Sequence, residues 1–282
     1  MWRSVKYGMK RLWDRRKRWL RERVDSMISH SDTERIALHP CVAHRGWSGK
    51  APENTMAAFR LAMSEPAVQW MEFDVHLSRD EVPVVIHDPT LKRTTNGRGR
   101  VSEWTAAELS RLDAGSWFDP AFAKEGVPTL DEVLALAAGR CRLNIEIKGE
   151  DSAPPLIARK VIELIQARRL EYDVVITSFR PEVLLAVREL TTVIRTGLII
   201  DDQPPDLIPN VRSLGASFLS IGFRHLTGPL LQEAEDAGVT VMAWTVNQPA
   251  DLQRIVSRPE PIMVCTNYPD RWLAAITRQE DR

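Results

Sequence analysis

From residue 40 to the C-terminus the chain alternates short apolar runs with longer helix-like ones, and this rhythm constrains the fold more than any other feature. Strand-like runs cover Cys41–His44, Met71–Leu77, Arg142–Lys148, Val174–Phe179, Thr196–Ile200, Ser217–Phe223, Thr240–Val246 and Ile262–Thr266. Helical runs fall between them, among them 54–63, 129–138, 154–169, 181–190, 228–237 and 250–256, and a closing helix starts near Arg271. Thr129 with Glu132 three residues on reads as a helix-capping pair. Eight strands separated by helical crossovers predict a (β/α)8 TIM barrel rather than an open doubly wound sheet. Neither a GxGxxG nor a P-loop segment occurs, which also counts against the nucleotide-binding open sheets. Val82–Ile86 is an extra strand, reached through the turn-like Ser78-Arg79-Asp80-Glu81, and predicts a hairpin with the second strand. Residues 88–128 are polar and glycine-containing, with little strand pattern.

Within this frame one spacing stands out. Glu72 and Asp74 lie two apart in Trp70-Met71-Glu72-Phe73-Asp74-Val75-His76-Leu77. Residues i and i+2 of a strand share a face, so two carboxylates point to one place from an otherwise apolar strand. Buried side by side, they repel each other and lose hydration unless positive charge sits between them. A divalent cation supplies that charge most economically. Ion pairs with Arg45 or Lys148 are the alternative. The third strand adds Glu146 and Lys148, again two apart.

In a TIM barrel the reactive groups gather at the C-terminal ends of the strands. The first strand ends in His44-Arg45-Gly46, the hairpin returns to His87-Asp88, and the penultimate strand ends in Trp244-Thr245-Val246-Asn247. Two histidines suit proton transfer near neutral pH, one accepting while the other donates. A hard cation on three carboxylates polarises an anionic oxygen. Arg45 and Lys148 add positive charge for an anionic substrate. Together these groups fit phosphodiester cleavage, and an oxygen-rich donor set fits zinc poorly. His76 shares the face of Glu72 and Asp74, as a supporting or merely packed residue.

The bulk composition excludes other classes. Lys+Arg and Asp+Glu are 38 each, so net charge makes no case for a nucleic-acid partner. The three cysteines are far apart in apolar runs, without a CxxC, and read as buried thiols in a reducing compartment. No apolar run reaches the roughly 18 residues of a membrane span, and no signal peptide pattern opens the chain. The expected location is cytoplasmic. Residues 1–28 are the exception to the neutral average. Basic residues from Arg3 to Arg23 alternate with Trp2, Val5, Met9, Leu12, Trp13, Leu20 and Val24 at three- and four-residue steps. This predicts a basic amphipathic helix, either a peripheral contact with an anionic membrane surface or a helix docked on the barrel or a second subunit. Residues 29–39 read as a connector, giving a division into 1–39 and a barrel domain of 40–282.

Ala43-His44-Arg45-Gly46, Pro52-Glu53-Asn54-Thr55, Glu72-Phe73-Asp74-Val75, His87-Asp88 and Asn144-Ile145-Glu146-Ile147-Lys148, in this order, closely resemble the glycerophosphodiester phosphodiesterase family. Ala243-Trp244-Thr245-Val246-Asn247 and Thr266-Asn267-Tyr268-Pro269-Asp270 resemble its later motifs, with Asn267 where many relatives carry Asp. The resemblance covers residue 40 onwards. It implies a barrel hydrolase that converts glycerophosphodiesters to an alcohol and sn-glycerol 3-phosphate. It implies Mg²⁺ or Ca²⁺ on Glu72, Asp74 and Glu146, and a catalytic histidine pair at His44 and His87. It also implies phosphate contacts from Arg45 and Lys148, a glycerol- or metal-side place for Glu53, and packing of Trp244 on the substrate. Residues 88–128 correspond to an insertion after the second strand that roofs the site. A lysophospholipid is the alternative substrate if residues 1–28 bring the enzyme to a membrane, and a non-catalytic phosphodiester-binding barrel is the remaining alternative.

Overall fold

The computed structural model describes residues 30–149 and 151–278, so the basic amphipathic helix expected over 1–28 lies outside the described residues. Nine strands form one sheet: β1 (Cys41–His44), β2 (Trp70–Leu77), β3 (Pro83–Val85), β4 (Arg142–Ile147), β5 (Val174–Ser178), β6 (Arg195–Ile200), β7 (Phe218–Gly222), β8 (Thr240–Trp244) and β9 (Met263–Thr266). β1 pairs in parallel with both β2 and β9, and the parallel pairing runs through β4 to β8 without a break, so the sheet closes into the expected TIM barrel. β3 is the extra strand, antiparallel to β2, as the hairpin reading required. Among the described residues no helix is long and apolar enough to cross a membrane.

Alternation along the strands sorts the core into two layers. Met71, Phe73 and Val75 face outward, where they pack with Phe59, Leu130, Val133 and other apolar residues of the surrounding helices. Their neighbours on β2 face the barrel axis. Below the polar groups Trp70 joins Val42, Val175, Phe218, Met242, Met263 and Cys265 in a buried apolar plug. Burying such side chains stabilises the barrel by about 1.5–3 kcal/mol each. Higher along the same face come Glu72 and Asp74, so one strand carries both the plug and the polar floor above it. Cys41, Cys141 and Cys265 are buried free thiols, as expected.

Several boundaries shift for local reasons. The helix expected over 54–63 is Met56–Ser64, capped by the Thr55 side chain, because Asn54 has φ of 58° and cannot be helical. The closing helix is Pro269–Thr277, with its proline in the first turn, where the missing N–H is harmless. The Thr129–Glu132 capping box is present at Leu130–Ala137 and contributes about 1 kcal/mol. The stretch read as a connector holds a helix, His30–Leu38. It docks on the closing helix: Arg35 Nη1 donates to Ile276 O at 2.5 Å, and Trp272 Nε1 donates to His39 O at 3.0 Å. A further helix, Leu207–Ser213, fills the crossover between β6 and β7.

Between β3 and β4 the chain leaves the barrel. Short turns and the helix Ala106–Leu109 wrap a satellite core of Val84, Ile86, Leu91, Val101, Leu109 and Val127. Arg100 pairs with Asp151, tying this insertion to the loop after β4.

Candidate active site

Strand register brings the acids together. β1 sets His44 opposite Glu72, and β4 sets Glu146 opposite Asp74. Three neighbouring strands therefore deliver four polar side chains to one end of the barrel. Glu72, Asp74 and Glu146 are buried, and each offers an oxygen within 4.8 Å of the other two.

The turn after β1 is shaped to serve this cluster. Arg45 adopts φ of 56°, which aims its backbone N–H at Glu72 Oε2 (3.2 Å). Gly46 follows with φ of 76°, and a Cβ there would lie 2.7 Å from the carbonyl carbon of Ala58, so only glycine fits. The Arg45 side chain reaches Asp74 Oδ2 (3.4 Å) and Glu53 Oε1 (2.8 Å). Lys148 Nζ lies 3.0 Å from Asp74 Oδ1 and 2.5 Å from Glu146 Oε1. Both basic residues expected to meet phosphate thus also neutralise the acids.

That neutralisation is incomplete. Burial opposes the charge of Asp74, but Lys148 and Arg45 outweigh it and hold this carboxyl well below its usual range. Glu72 behaves oppositely: burial and then the charges of Asp74 and Glu146 push it well up. Burial, and then Asp74, raise Glu146 to about 7. Asp74 Oδ1 and Glu146 Oε1 also lack a well-directed hydrogen-bond donor. Two carboxyls that resist ionisation mark a cluster short of positive charge, and three oxygen donors suit a hard divalent cation. The residues fit such an ion.

The histidines flank the cluster. His44 Nε2 is 3.8 Å from Glu72 Oε2, and Nδ1 is 2.6 Å from Asn267 Oδ1. Burial, and then the Arg45 charge, lower its pKa to about 4. His87 Nδ1 lies 2.7 Å from Asp88 Oδ1. Burial lowers His87 also, although Asp74 pulls the other way. His76 Nε2 lies 3.0 Å from the His87 carbonyl oxygen, which makes it a support for the backbone there.

A cavity of about 120 Å³ opens above these groups, lined by His44, Arg45, Glu72, His87, Glu146, Lys148 and Trp244 among others. Asp74 lies beneath it, and Glu53 with His87 lines an adjoining recess. All nine residues singled out in the sequence therefore converge. Trp244 forms a rim wall with Phe179, their rings edge to face at 5.7 Å.

The sequence reading left several partners unassigned. Asn54 donates Nδ2–H to Asp74 Oδ2 at 2.9 Å. Its left-handed backbone, a conformation asparagine tolerates, sets that approach. Arg93, from the insertion, forks onto Asp88 (Nε to Oδ2, 2.8 Å) and Glu53 (Nη1 to Oε2, 2.8 Å). It joins the His87 side of the site to the Arg45 side. Asn267 and Phe179 were likewise not singled out as site residues. Asn267 carried one signal: it stands where many relatives of the resembled family have Asp.

Comparison with known proteins agrees with this geometry. The model of the glycerophosphoryl diester phosphodiesterase family matches residues 44–271. A glycerophosphodiester phosphodiesterase of Caldanaerobacter subterraneus is 37% identical over 216 residues, covering 76% of this chain and 88% of that protein. A phosphodiesterase of Oleispira antarctica, solved in complex with the product sn-glycerol-3-phosphate, has a TM-score of 0.80 at 30% identity, covering 86% of this chain and 98% of that one. A glycerophosphodiester phosphodiesterase of Agrobacterium tumefaciens gives a TM-score of 0.73 at 30% identity, covering 84% of this chain and 99% of that one. The chain belongs to the glycerophosphoryl diester phosphodiesterase family, and is a phosphoric diester hydrolase.

Proposed function

We propose that this enzyme cleaves glycerophosphodiesters to an alcohol and sn-glycerol 3-phosphate with His44 and His87 as its acid–base pair and with a divalent cation, Mg²⁺ or Ca²⁺, on Glu72, Asp74 and Glu146. The observation that carries the reading is the convergence of three buried carboxyls, two of which resist ionisation, and two imidazoles at one cavity. The product held by the Oleispira relative supports the choice of substrate.

When bound, the cation supplies charge to the acids and polarises a phosphoryl oxygen. The remaining roles fall to the chain itself. Arg45 and Lys148, already at the cavity wall, turn their free donors toward the phosphate and offset the negative charge that builds on phosphorus. One histidine takes the proton of the attacking oxygen, which is either water or the neighbouring glycerol hydroxyl. The other protonates the departing alkoxide. Each proton transfer is worth roughly 10²–10⁴-fold. Glu53 faces the adjoining recess and its carboxylate suits glycerol hydroxyls, while Trp244 offers an apolar wall to the carbon skeleton.

A release assay for glycerol 3-phosphate tests the reading directly. Choline, ethanolamine, glycerol and inositol diesters are offered with each metal and with EDTA. Release of product that requires a divalent ion is expected; no release from any diester overturns the proposal. A second substrate class, lysophospholipids, is favoured by the basic and apolar pattern of residues 1–28. Liposome binding and lysolipid turnover that both disappear on deletion of 1–28, with soluble diester turnover kept, support it. Unchanged membrane partition removes it.

A further inference from the structure

The acids and histidines of the cavity come from β1, β2, β4 and the chain just after β3. The wall that faces them across the ring comes from the later strands. It consists of Phe179 after β5, Ile199 of β6, Ser220 of β7, and Met242 and Trp244 of β8. The recess beside Glu53 opens on the His87 side. Glycerol hydroxyls placed there leave the facing wall to the second alcohol of the diester.

One charged side chain stands at the rim of that wall. Ile199 and Ser220 are register partners, and both line the cavity. Residues two further along a strand return to the same face, which puts Asp201 beside Gly222 one layer higher. The two fit closely: a Cβ on Gly222 would collide with Asp201 Oδ1, so the carboxylate takes the space that a side chain on β7 would fill. Gly222 is in turn the register partner of Trp244. Asp201, a bare glycine and Trp244 therefore share one layer at the mouth. His225 Nε2, 3.3 Å from Oδ1, steadies the carboxylate, and among the described residues no lysine or arginine pairs with it.

The aromatic part of the wall suits a cation. Phe179 and Trp244 meet with their planes at 84°, so their rings bound a corner, and Phe179 is still 47% exposed. The face of such a ring attracts positive charge. Lys148 Nζ lies 6.0 Å from the Phe179 ring, on the side where phosphate is expected. The wall thus runs from an ammonium group at the phosphate end to a carboxylate at the rim. A diester with a negative phosphate and a positively charged alcohol matches that polarity end to end, whereas an uncharged alcohol gains nothing from it.

We propose that Asp201 is a specificity-determining residue that forms, with the rings of Phe179 and Trp244, a subsite for an ammonium-bearing alcohol headgroup. The inference rests on the glycerophosphodiester reading above and names the class of alcohol. Asp201 acts on recognition through its charge. Its side chain is 48% exposed, so solvent screening keeps the effect to a few-fold.

The test compares two substrates of equal shape. One is glycerophosphocholine. The other is the glycerophosphodiester of 3,3-dimethylbutanol, the uncharged carbon isostere of choline. Glycerol 3-phosphate release is measured at pH 8 with the divalent ion present. The full-length parent should favour the choline diester in kcat/KM by about threefold to fivefold, and raised salt should shrink that preference. Asp201→Asn should abolish the preference, and Asp201→Lys should reverse it. Gly222→Ala, which displaces the carboxylate without removing it, should lower the preference as well. Equal use of both diesters by the parent overturns the proposal, as does the parental preference in Asp201→Asn. A loss in Asp201→Asn that falls alike on both diesters also overturns it, since that marks a purely structural role. No release from either diester by the parent refutes instead the reading of glycerophosphodiesters as the substrates.

Discussion

Replacing Glu146 by glutamine removes a negative charge from the heart of the cluster, and the metal-free protein should become more stable for it. The Glu146 carboxyl ionises at about 7 in the fold, against 4.5 without the protein around it. Between those values the folded protein holds a proton that the unfolded chain has lost, so rising pH favours unfolding across that window. Above pH 7 the accumulated penalty is about 3 kcal/mol. Glutamine mimics the protonated side chain and carries no such penalty. In EDTA at pH 8, Glu146→Gln should therefore melt about 5–10 °C above the parent. At pH 4.5, where both side chains are neutral in the fold, the two should melt together. Added Mg²⁺ or Ca²⁺ should reverse the order at pH 8, because the parent binds the ion only when folded. Thermal melts followed by circular dichroism across this pH series supply the comparison. A glutamine variant that is less stable than the parent at pH 8 in EDTA would refute the reasoning, since it would mean that Lys148 already satisfies the carboxylate.

Three further outcomes follow from the geometry. His44→Ala and His87→Ala should each lose roughly 10²–10⁴-fold in kcat, with divalent-metal affinity by calorimetry preserved; near-normal turnover removes that histidine from the chemistry. Gly46→Ala places a Cβ against the Ala58 carbonyl at a left-handed φ, so urea denaturation should show a loss of about 3 kcal/mol, and an unchanged midpoint would mean the turn relaxes freely. Arg93→Ala should change stability by under about 1 kcal/mol, because Arg93 pairs at the solvent-exposed edge of the site, yet lower kcat by loosening Asp88 and Glu53 together; a variant with parental kcat would show that the insertion does not organise the site.

The parts of this protein that were legible in the sequence are those set by short-range periodicity. The spacing of Glu72 and Asp74 gave a shared face because a strand repeats every two residues. The βα rhythm gave the barrel, and parallel register then carried Glu146 to Asp74. Contacts made between loops had no such signal. Nothing near Arg93 announces that its guanidinium spans Asp88 and Glu53, because the insertion's path decides that. Asn267 is distant in sequence from His44 and meets it only because β9 closes the ring on β1. The helix at His30–Leu38 was read as a connector because its amphipathic pattern is short. Docking on the closing helix, with Ile36 buried, decides its structure. Lys148 was legible in both of its places: its charge suggested a phosphate contact, and an ion pair with the acids was the stated alternative to a metal; its amine lies beside Asp74 and Glu146.

The most direct measurement is glycerol 3-phosphate released from glycerophosphocholine by protein stripped with EDTA, before and after Mg²⁺ or Ca²⁺ is restored, with Glu72→Gln treated in parallel. Silence in EDTA, recovery with the ion, and no recovery in Glu72→Gln at the same ion concentration are the expected results. Full turnover by the stripped protein and by Glu72→Gln would contradict the claim that these carboxyls gather to hold a cation for catalysis.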